Sequence, residues 1–332
     1  MSGSLPAVID AYDAALFDLD GVVYLGPVAV VGAADGIARL RRRGIRVGFV
    51  TNNAARSPAA VAEHLRELEV PATTADVVTS AQAGAHLVVN RVGAGAKVLI
   101  VGGSGVAEAV AEAGMVGVRS ADDEPAAVLQ GYGFDLTWQQ LNEAAIAIHR
   151  GAYWVATNTD STRPTDRGLV PGNGAAVAAV AAAVAAEPEV AGKPYRPLMD
   201  ETVARLGATR PIFVGDRLDT DIAGAVSAGL DSMLVLSGSH GARDLLTAGT
   251  RERPTHLGHD LRALLAPPMP VHACDNGFSC GPATAWTDGA DVLVSGADPE
   301  GLEAVWAAAH AAWAAADQGR RIDPVIKPAA PR

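Results

Sequence analysis

Short apolar runs that stop abruptly at polar clusters constrain this chain most. Ala14-Ala15-Leu16-Phe17 stops at Asp18, Val47-Gly48-Phe49-Val50 at Thr51, and Pro211-Ile212-Phe213-Val214 at Gly215-Asp216. Each run has the length of a strand and no polar alternation, as expected of strands buried on both faces. Between the first two lies a helical pattern over residues 32–43, with a basic last turn that suits the helix dipole. Ser57-Pro58 opens a second helix to about residue 68, serine as cap and proline at the first helical position. Strand alternating with helix predicts an α/β fold built on a parallel sheet.

The rhythm continues with other motifs. Strands are expected at 98–101, 126–129, 153–156 and 233–236, a buried alanine-rich helix at 175–186, and a helix at 221–228. Ala266-Pro267-Pro268-Met269-Pro270 reads as a linker. Beyond it, a hairpin turning at Asp288-Gly289 and a helix over 299–316, capped by Asp298, are expected. Leu302, Val305, Trp306, Ala309 and Trp313 would form that helix's apolar face. Such an appendage cannot bury its face alone, so it must pack on the core, a partner or a second copy; a homo-oligomer stays open.

With 332 residues, 49% of them hydrophobic, the chain can bury a core. Its net charge of −11 speaks against nucleic acid or an anionic membrane as partner. It does not speak against an anionic substrate, because a metal and one cation reverse the local sign. Two cysteines exclude a disulfide-dense scaffold, and the N-terminal stretch has no signal-peptide pattern; a cytoplasmic protein is expected.

Four clusters carry chemistry. In Asp18-Leu19-Asp20-Gly21 two carboxylates lie two apart just past a strand, on the sheet edge where α/β folds bind ligands. Thr51-Asn52-Asn53 offers a hydroxyl and backbone N–H groups suited to phosphate oxygens. Lys193, one of only three lysines, is held between Gly192 and Pro194. Asp216, Asp219 and Asp221 gather oxygens of the kind a hard divalent cation takes. Taken singly, each also reads as an ordinary acidic turn, Asx-rich turn, loop lysine or helix N-terminus.

In this order and spacing the four clusters resemble the haloacid dehalogenase superfamily, and within it the NagD-type phosphatases with a type C2 cap. The resemblance covers about residues 12–262. It implies a Rossmann-like core of residues 1–84 and 189–262, an inserted α/β cap at 85–188, and an α+β appendage at 263–332 whose role it does not address. It implies that Asp18 is a nucleophile forming an aspartyl-phosphate, and that Asp20 is the general acid and then the base. Mg²⁺ would be held by Asp18, the carbonyl of Asp20 and Asp216, with Asp221 outside them. Thr51 and the backbone of Asn52 and Asn53 would bind phosphoryl oxygens, and Lys193 the nucleophile and the transferring group.

In the cap, Asn158 and Asp160 fall in the loop that reaches over the site in this family. Arg163 stands where relatives place a substrate-contacting histidine. The expected substrate is a small phosphorylated metabolite, glycerol 3-phosphate or phosphoglycolate before pyridoxal phosphate or nucleotides. A phosphomutase or phosphotransferase is the rival chemistry, and a silent ligand sensor the rival class. Gly102-Gly103-Ser104-Gly105 lacks a dinucleotide fingerprint and reads as a tight turn. His256, His259, His272 and the two cysteines show no ligand spacing.

Overall fold

The computed structural model describes residues 5–165 and 167–329. It divides into two compact units, one from Met1–Val47 with Thr209–Arg332 and one from Gly48–Ala208.

In the first unit, strands Ala14–Phe17, Pro211–Gly215, Asp231–Val235 and His256–Gly258 lie side by side in that order, all parallel. Phe17, Leu16, Phe213 and Leu234 are fully buried, which explains the unbroken apolar runs. The edge where these strands begin is tied together by one carboxylate. Asp13 accepts hydrogen bonds from Thr209 Oγ1 (2.7 Å), Thr209 N and Arg210 N (2.9 Å each), and pairs with Arg46 (2.8 Å). Partial burial opposes its ionisation, but those donors outweigh it and lower its pKa to about 2.

The appendage belongs to this unit. Strands His272–Cys274, Gly277–Cys280, Ala283–Asp288 and Asp291–Ser295 form an antiparallel meander, and Ile326–Pro328 adds a parallel edge strand. Three of these strands go beyond the expected hairpin. The hairpin turn is shifted by one residue: Asp288 pairs with Asp291, which leaves Gly289-Ala290 as the loop, with Gly289 at φ 58°. The helix spans Leu302–Asp317 and starts three residues later than expected. Asp298 instead accepts from Glu300 N (3.0 Å) in a local turn.

This helix is buried on nearly every side. Val305, Trp306, Ala309 and Trp313 are buried as expected, but so are Ala304, Ala307, Ala308, Ala311, Ala312 and Ala315. The alanines let the helix approach the meander closely while the tryptophans fill the space towards Leu218, Leu245, Leu246 and Leu257. Trp313 Nε1 donates to Leu245 O (2.8 Å), and Arg253 makes a two-pronged pair with Asp317 (2.7 Å each). Of the three ways to cover the appendage, the chain uses its own core.

In the second unit, the strand Arg46–Thr51 pairs through its last three residues with Val77–Thr79. Ser57 caps helix Pro58–Glu67 as read from the sequence. A five-stranded parallel sheet runs Glu189–Val190, Tyr153–Ala156, Ala127–Gln130, Lys97–Val101, Val116–Val118. Helix Ser80–Val92 packs on this sheet, where a Cβ at Gly84 would stand 2.8 Å from Leu129 Cδ1, and also on helix Arg196–Leu206. Residues 48–208 form one compact body. The alanine helix is shorter than expected, Asn173–Ala181, and only one side is buried, through Val177 and Val180.

The Asp13 clamp predicts acid sensitivity. Its folded pKa lies below the unfolded value, so its contribution is complete above about pH 4 and is lost as pH falls towards 2. Asp13→Asn should lower the melting temperature at pH 7 and flatten its decline between pH 5 and 2, as followed by circular dichroism. An unchanged acid limb would refute the clamp.

Candidate active site

The first unit gathers Asp18, Asp216 and Asp221 into a cluster whose nearest carboxylate oxygens all lie within 4.8 Å of one another. Asp18 leaves the end of its strand with its N–H on Val214 O (2.9 Å), so two neighbouring strands deliver Asp18 and Asp216 to one edge. Asp216 and Asp221 are about 1% exposed, and Asp18 is half-buried. Three acids at this spacing repel strongly unless a cation lies among them. All the donors are oxygens, the set that a hard divalent ion takes, so the residues fit such an ion. The carboxylate of Asp20 lies outside the cluster and is exposed.

Asp221 also shapes the loop. Its Oδ2 accepts from Asp216 N and Arg217 N (3.1 Å each). Asp219 takes another path: its two oxygens bind the Arg217 guanidinium at 3.0 and 2.7 Å, which together with His240 lowers its pKa against the effect of burial. It is not a member of the cluster.

Sequence reasoning missed the turn after strand Asp231–Val235. Ser239 N donates to Asp216 Oδ2 (2.6 Å), Ser237 Oγ to Gly21 O (2.7 Å), and Leu218 N to His240 Nδ1 (2.9 Å). Two glycines make room for Asp216: a Cβ at Gly21 would stand 2.3 Å from its Oδ2, and one at Gly238 2.1 Å. Ser237-Gly238-Ser239-His240 follows an apolar run as the other motifs do. That position was the available signal.

The second unit holds a polar network centred on Asn52. Its Nδ2 donates to Asp160 Oδ2 (3.2 Å) and Lys193 O (3.1 Å), and its Oδ1 accepts from Lys193 N (2.8 Å). Its carbonyl accepts from Ser80 Oγ (2.6 Å) and Asn158 Nδ2 (2.7 Å). Asn173 Nδ2 holds Asn158 O (2.7 Å). Gly192 makes this approach feasible, since a Cβ there would stand 2.6 Å from Asn52 Oδ1. Thr51 is buried, and its Oγ1 accepts from Asn53 N (3.0 Å). Asn52 therefore works as a tie between three loops, and Asn53 N already serves Thr51. Lys193 is buried at 3% exposure, and its peptide bond to Pro194 is cis. Arg163 lies on the hairpin of Thr162–Thr165 and Gly168–Pro171, stacked on Tyr132 and Phe134.

The rejected candidates stay outside any metal cluster among the described residues. His256 bonds Tyr12 (3.1 Å), and Cys274 and Cys280 are free thiols. Burial and Glu303 push the Cys280 thiol up to about 11, too high for a thiolate nucleophile.

Comparison with known proteins fits this geometry. Residues 15–116 match the profile of haloacid dehalogenase-like hydrolases, and residues 190–264 that of HAD-hydrolase-like proteins. A D-glycerol 3-phosphate phosphatase from Mycobacterium tuberculosis is 45% identical over 94% of this chain and 88% of its own. The chain belongs to the haloacid dehalogenase-like hydrolases. Within them it is a NagD-type phosphatase, a phosphoric monoester hydrolase. A crystal structure of a glycerol phosphate phosphatase from Mycobacterium tuberculosis with magnesium superposes with a TM-score of 0.88 at 42% identity, covering 98% of this chain and 95% of that one. An acid sugar phosphatase from Staphylococcus aureus is 35% identical but covers only 77% of this chain, against 97% of its own length. No helix among the described residues is long and apolar enough to cross a membrane.

The clearance beside Asp216 is testable. Gly238→Ala should displace that carboxylate and weaken divalent-cation binding about 10- to 100-fold, the usual scale for residues that support a ligand. Titration calorimetry measures it; unchanged affinity would show that the glycine is dispensable.

Proposed function

We propose that this hydrolase cleaves glycerol 3-phosphate, with phosphoglycolate second, using Mg²⁺ at the cluster of Asp18, Asp216 and Asp221. The cluster carries the reading for the metal, and the 45% identical relative, which spans the appendage as well, supports the substrate. Residues 85–188 would serve as the cap over the reaction and 263–332 as a buttress of the core. A small phosphorylated metabolite is the partner, and the cytoplasm the site of action.

Asp18 would hold the ion with Asp216 and the carbonyl of Asp20, while Asp221 fixes the loop that carries Asp216. The bound ion would neutralise phosphate charge and relieve repulsion among the carboxylates. An Asp18 oxygen attacks phosphorus, the phosphorus–oxygen bond to the alcohol breaks, and Asp20 gives its proton to the departing oxygen. Asp20 then takes a proton from water as that water attacks the aspartyl-phosphate, which releases phosphate and restores Asp18. Thr51, steadied by the Asn53 N–H on its Oγ1, and the backbone of Asn52 would receive phosphoryl oxygens, and Lys193 would balance the charge that builds on them. In the cap, Asn158 and Asp160 would shape the leaving-group side. The carboxylate at position 20 suits rapid hydrolysis or mutase chemistry, because it supplies the base for the attacking hydroxyl.

Asp18→Asn should reduce turnover below about 1% of wild type with unchanged melting behaviour, since an amide is a poor nucleophile. Phosphate release from glycerol 3-phosphate measures this, and substantial residual activity would reassign the nucleophile. EDTA should stop the reaction and Mg²⁺ restore it. Ca²⁺ should restore little, because it favours more ligands at longer distances and would engage the attacking oxygen of Asp18. Full activity with Ca²⁺ alone would exclude this arrangement.

A further inference from the structure

Three asparagines of the second unit form a line of hydrogen bonds that all point one way. Asn173 Nδ2 donates to Asn158 O (2.7 Å), Asn158 Nδ2 to Asn52 O (2.7 Å), and Asn52 Nδ2 to Lys193 O (3.1 Å). At each step a side-chain amide holds the main-chain carbonyl of the next residue. Neighbours fix the direction. Asn158 Oδ1 accepts from Asp160 N (3.1 Å) and Asn52 Oδ1 from Lys193 N (2.8 Å), so the other end of each amide is the donor. Asn173 Nδ2 also faces Gln130 O (3.5 Å), a second carbonyl.

Both ends of the line are anchored. Asn173 opens helix Asn173–Ala181 between two glycines. Gly172 N donates to Ser161 O (2.9 Å) and Gly174 N to Asp160 O (2.8 Å). A Cβ at Gly172 would stand 2.2 Å from Asp160 O, and one at Gly174 2.2 Å from Thr159 O. Only bare backbone on either side lets Asn173 come this close to the loop. Asn173 and Asn158 are 2% and 4% exposed, so water scarcely competes for their bonds. At the far end, one Asn52 amide grips Lys193 by both its N–H and its carbonyl. Ser80 Oγ, 2.6 Å from Asn52 O, holds the same carbonyl that Asn158 holds.

We infer that Asn173 and Asn158 are positioning residues for Lys193, acting through Asn52. This deepens the phosphatase reading above and rests on it for the role of Lys193. A lysine ammonium ends a flexible four-carbon stem, so its place depends on how firmly the backbone below it is held. A displacement of about 1 Å at a reacting centre can cost roughly 100-fold in rate. The loss falls on kcat, because the charge that the lysine balances grows only towards the transition state. Neutral amides transmit this hold without adding a charge that would compete with the lysine.

Two measurements test this on wild type, Asn173→Ala, Asn52→Ala and the double variant Asn173→Ala/Asn52→Ala. Val177→Ala is the control, since it loosens the same helix from its buried side. The chain has only three lysines, Lys97, Lys193 and Lys327, so NMR of protein carrying ¹³C-labelled lysine resolves Lys193, identified by its loss in Lys193→Met. Asn173→Ala and Asn52→Ala should move the Lys193 signal in the same direction and leave Lys97 and Lys327 in place, and Val177→Ala should move none. In turnover of glycerol 3-phosphate, Asn173→Ala should lower kcat about 5- to 20-fold with KM changed less than about 2-fold, and Asn52→Ala should lower kcat about 100-fold. With the Asn52 amide already removed, Asn173→Ala should cost nothing more. Should Asn52→Ala not fold, Asn52→Ser takes its place in the cycle. An unmoved Lys193 signal in Asn173→Ala, additive losses in the double variant, or an equal loss in Val177→Ala would overturn the proposal. If Lys193→Met keeps full turnover, the role given to Lys193 fails and this inference with it. If Lys193→Met is inactive and Asn173→Ala turns over normally, this inference fails alone.

Discussion

Asp18, Asp216 and Asp221 bring three mutually repelling carboxylates to one point of the first unit. Three carboxylate oxygens within 4.8 Å of one another cannot be held by their own attraction. The backbone has to impose the arrangement, and it does so through neighbours that are rigid for independent reasons. Parallel strands buried on both faces bring Asp18 and Asp216 to one edge. Gly21 and Gly238 clear the space around Asp216, and Ser239 N steadies its Oδ2. Asp221 braces the loop between them through two backbone N–H groups. Such a constellation is unfavourable when empty and strongly favourable around a divalent cation, which is how a fold concentrates binding energy at one point.

The second unit solves a different problem with neutral groups. Asn52 joins the strand-end loop of Thr51 to the Lys193 loop and to the 158–160 loop. An amide side chain suits this task because it donates and accepts at once and carries no charge of its own. A carboxylate at 52 would repel Asp160, and an alanine would remove the bonds to Lys193 N, Lys193 O and Asp160 Oδ2.

Much of this was legible because strand ends advertise themselves. An apolar run followed by Asp18 or by Asp216 marks a strand and its end, and both residues directly follow their strands, while Thr51 is the last residue of its own. What stayed hidden depends on distant neighbours. Ser237-Gly238-Ser239 looks like any small-residue turn until Asp216 is placed beside it. The helix at Leu302 was read three residues early because Asp298-Pro299 satisfies the rules for a helix start, while the aspartate closes a local turn. Its apolar stripe was too narrow a description, because alanine buries well on a side that no periodicity identifies. Asp219 resembled a metal ligand only because the partner two residues away, Arg217, weighs nothing in a count of acids.

The helix Leu302–Asp317 shares one apolar cluster with Leu218, Ile222 and Leu234, residues that follow or flank the strands of the catalytic edge. The proline-rich stretch 266–270 is therefore a covalent link without being a mechanical boundary. Met269 and Val271 on either side of Pro270 pack into the same cluster. Loosening of the C-terminal meander would therefore loosen the Leu218–Ile222 turn that follows Asp216. A lesion in the helix Leu302–Asp317 would reach the carboxylate cluster through loss of that common interior, without touching it.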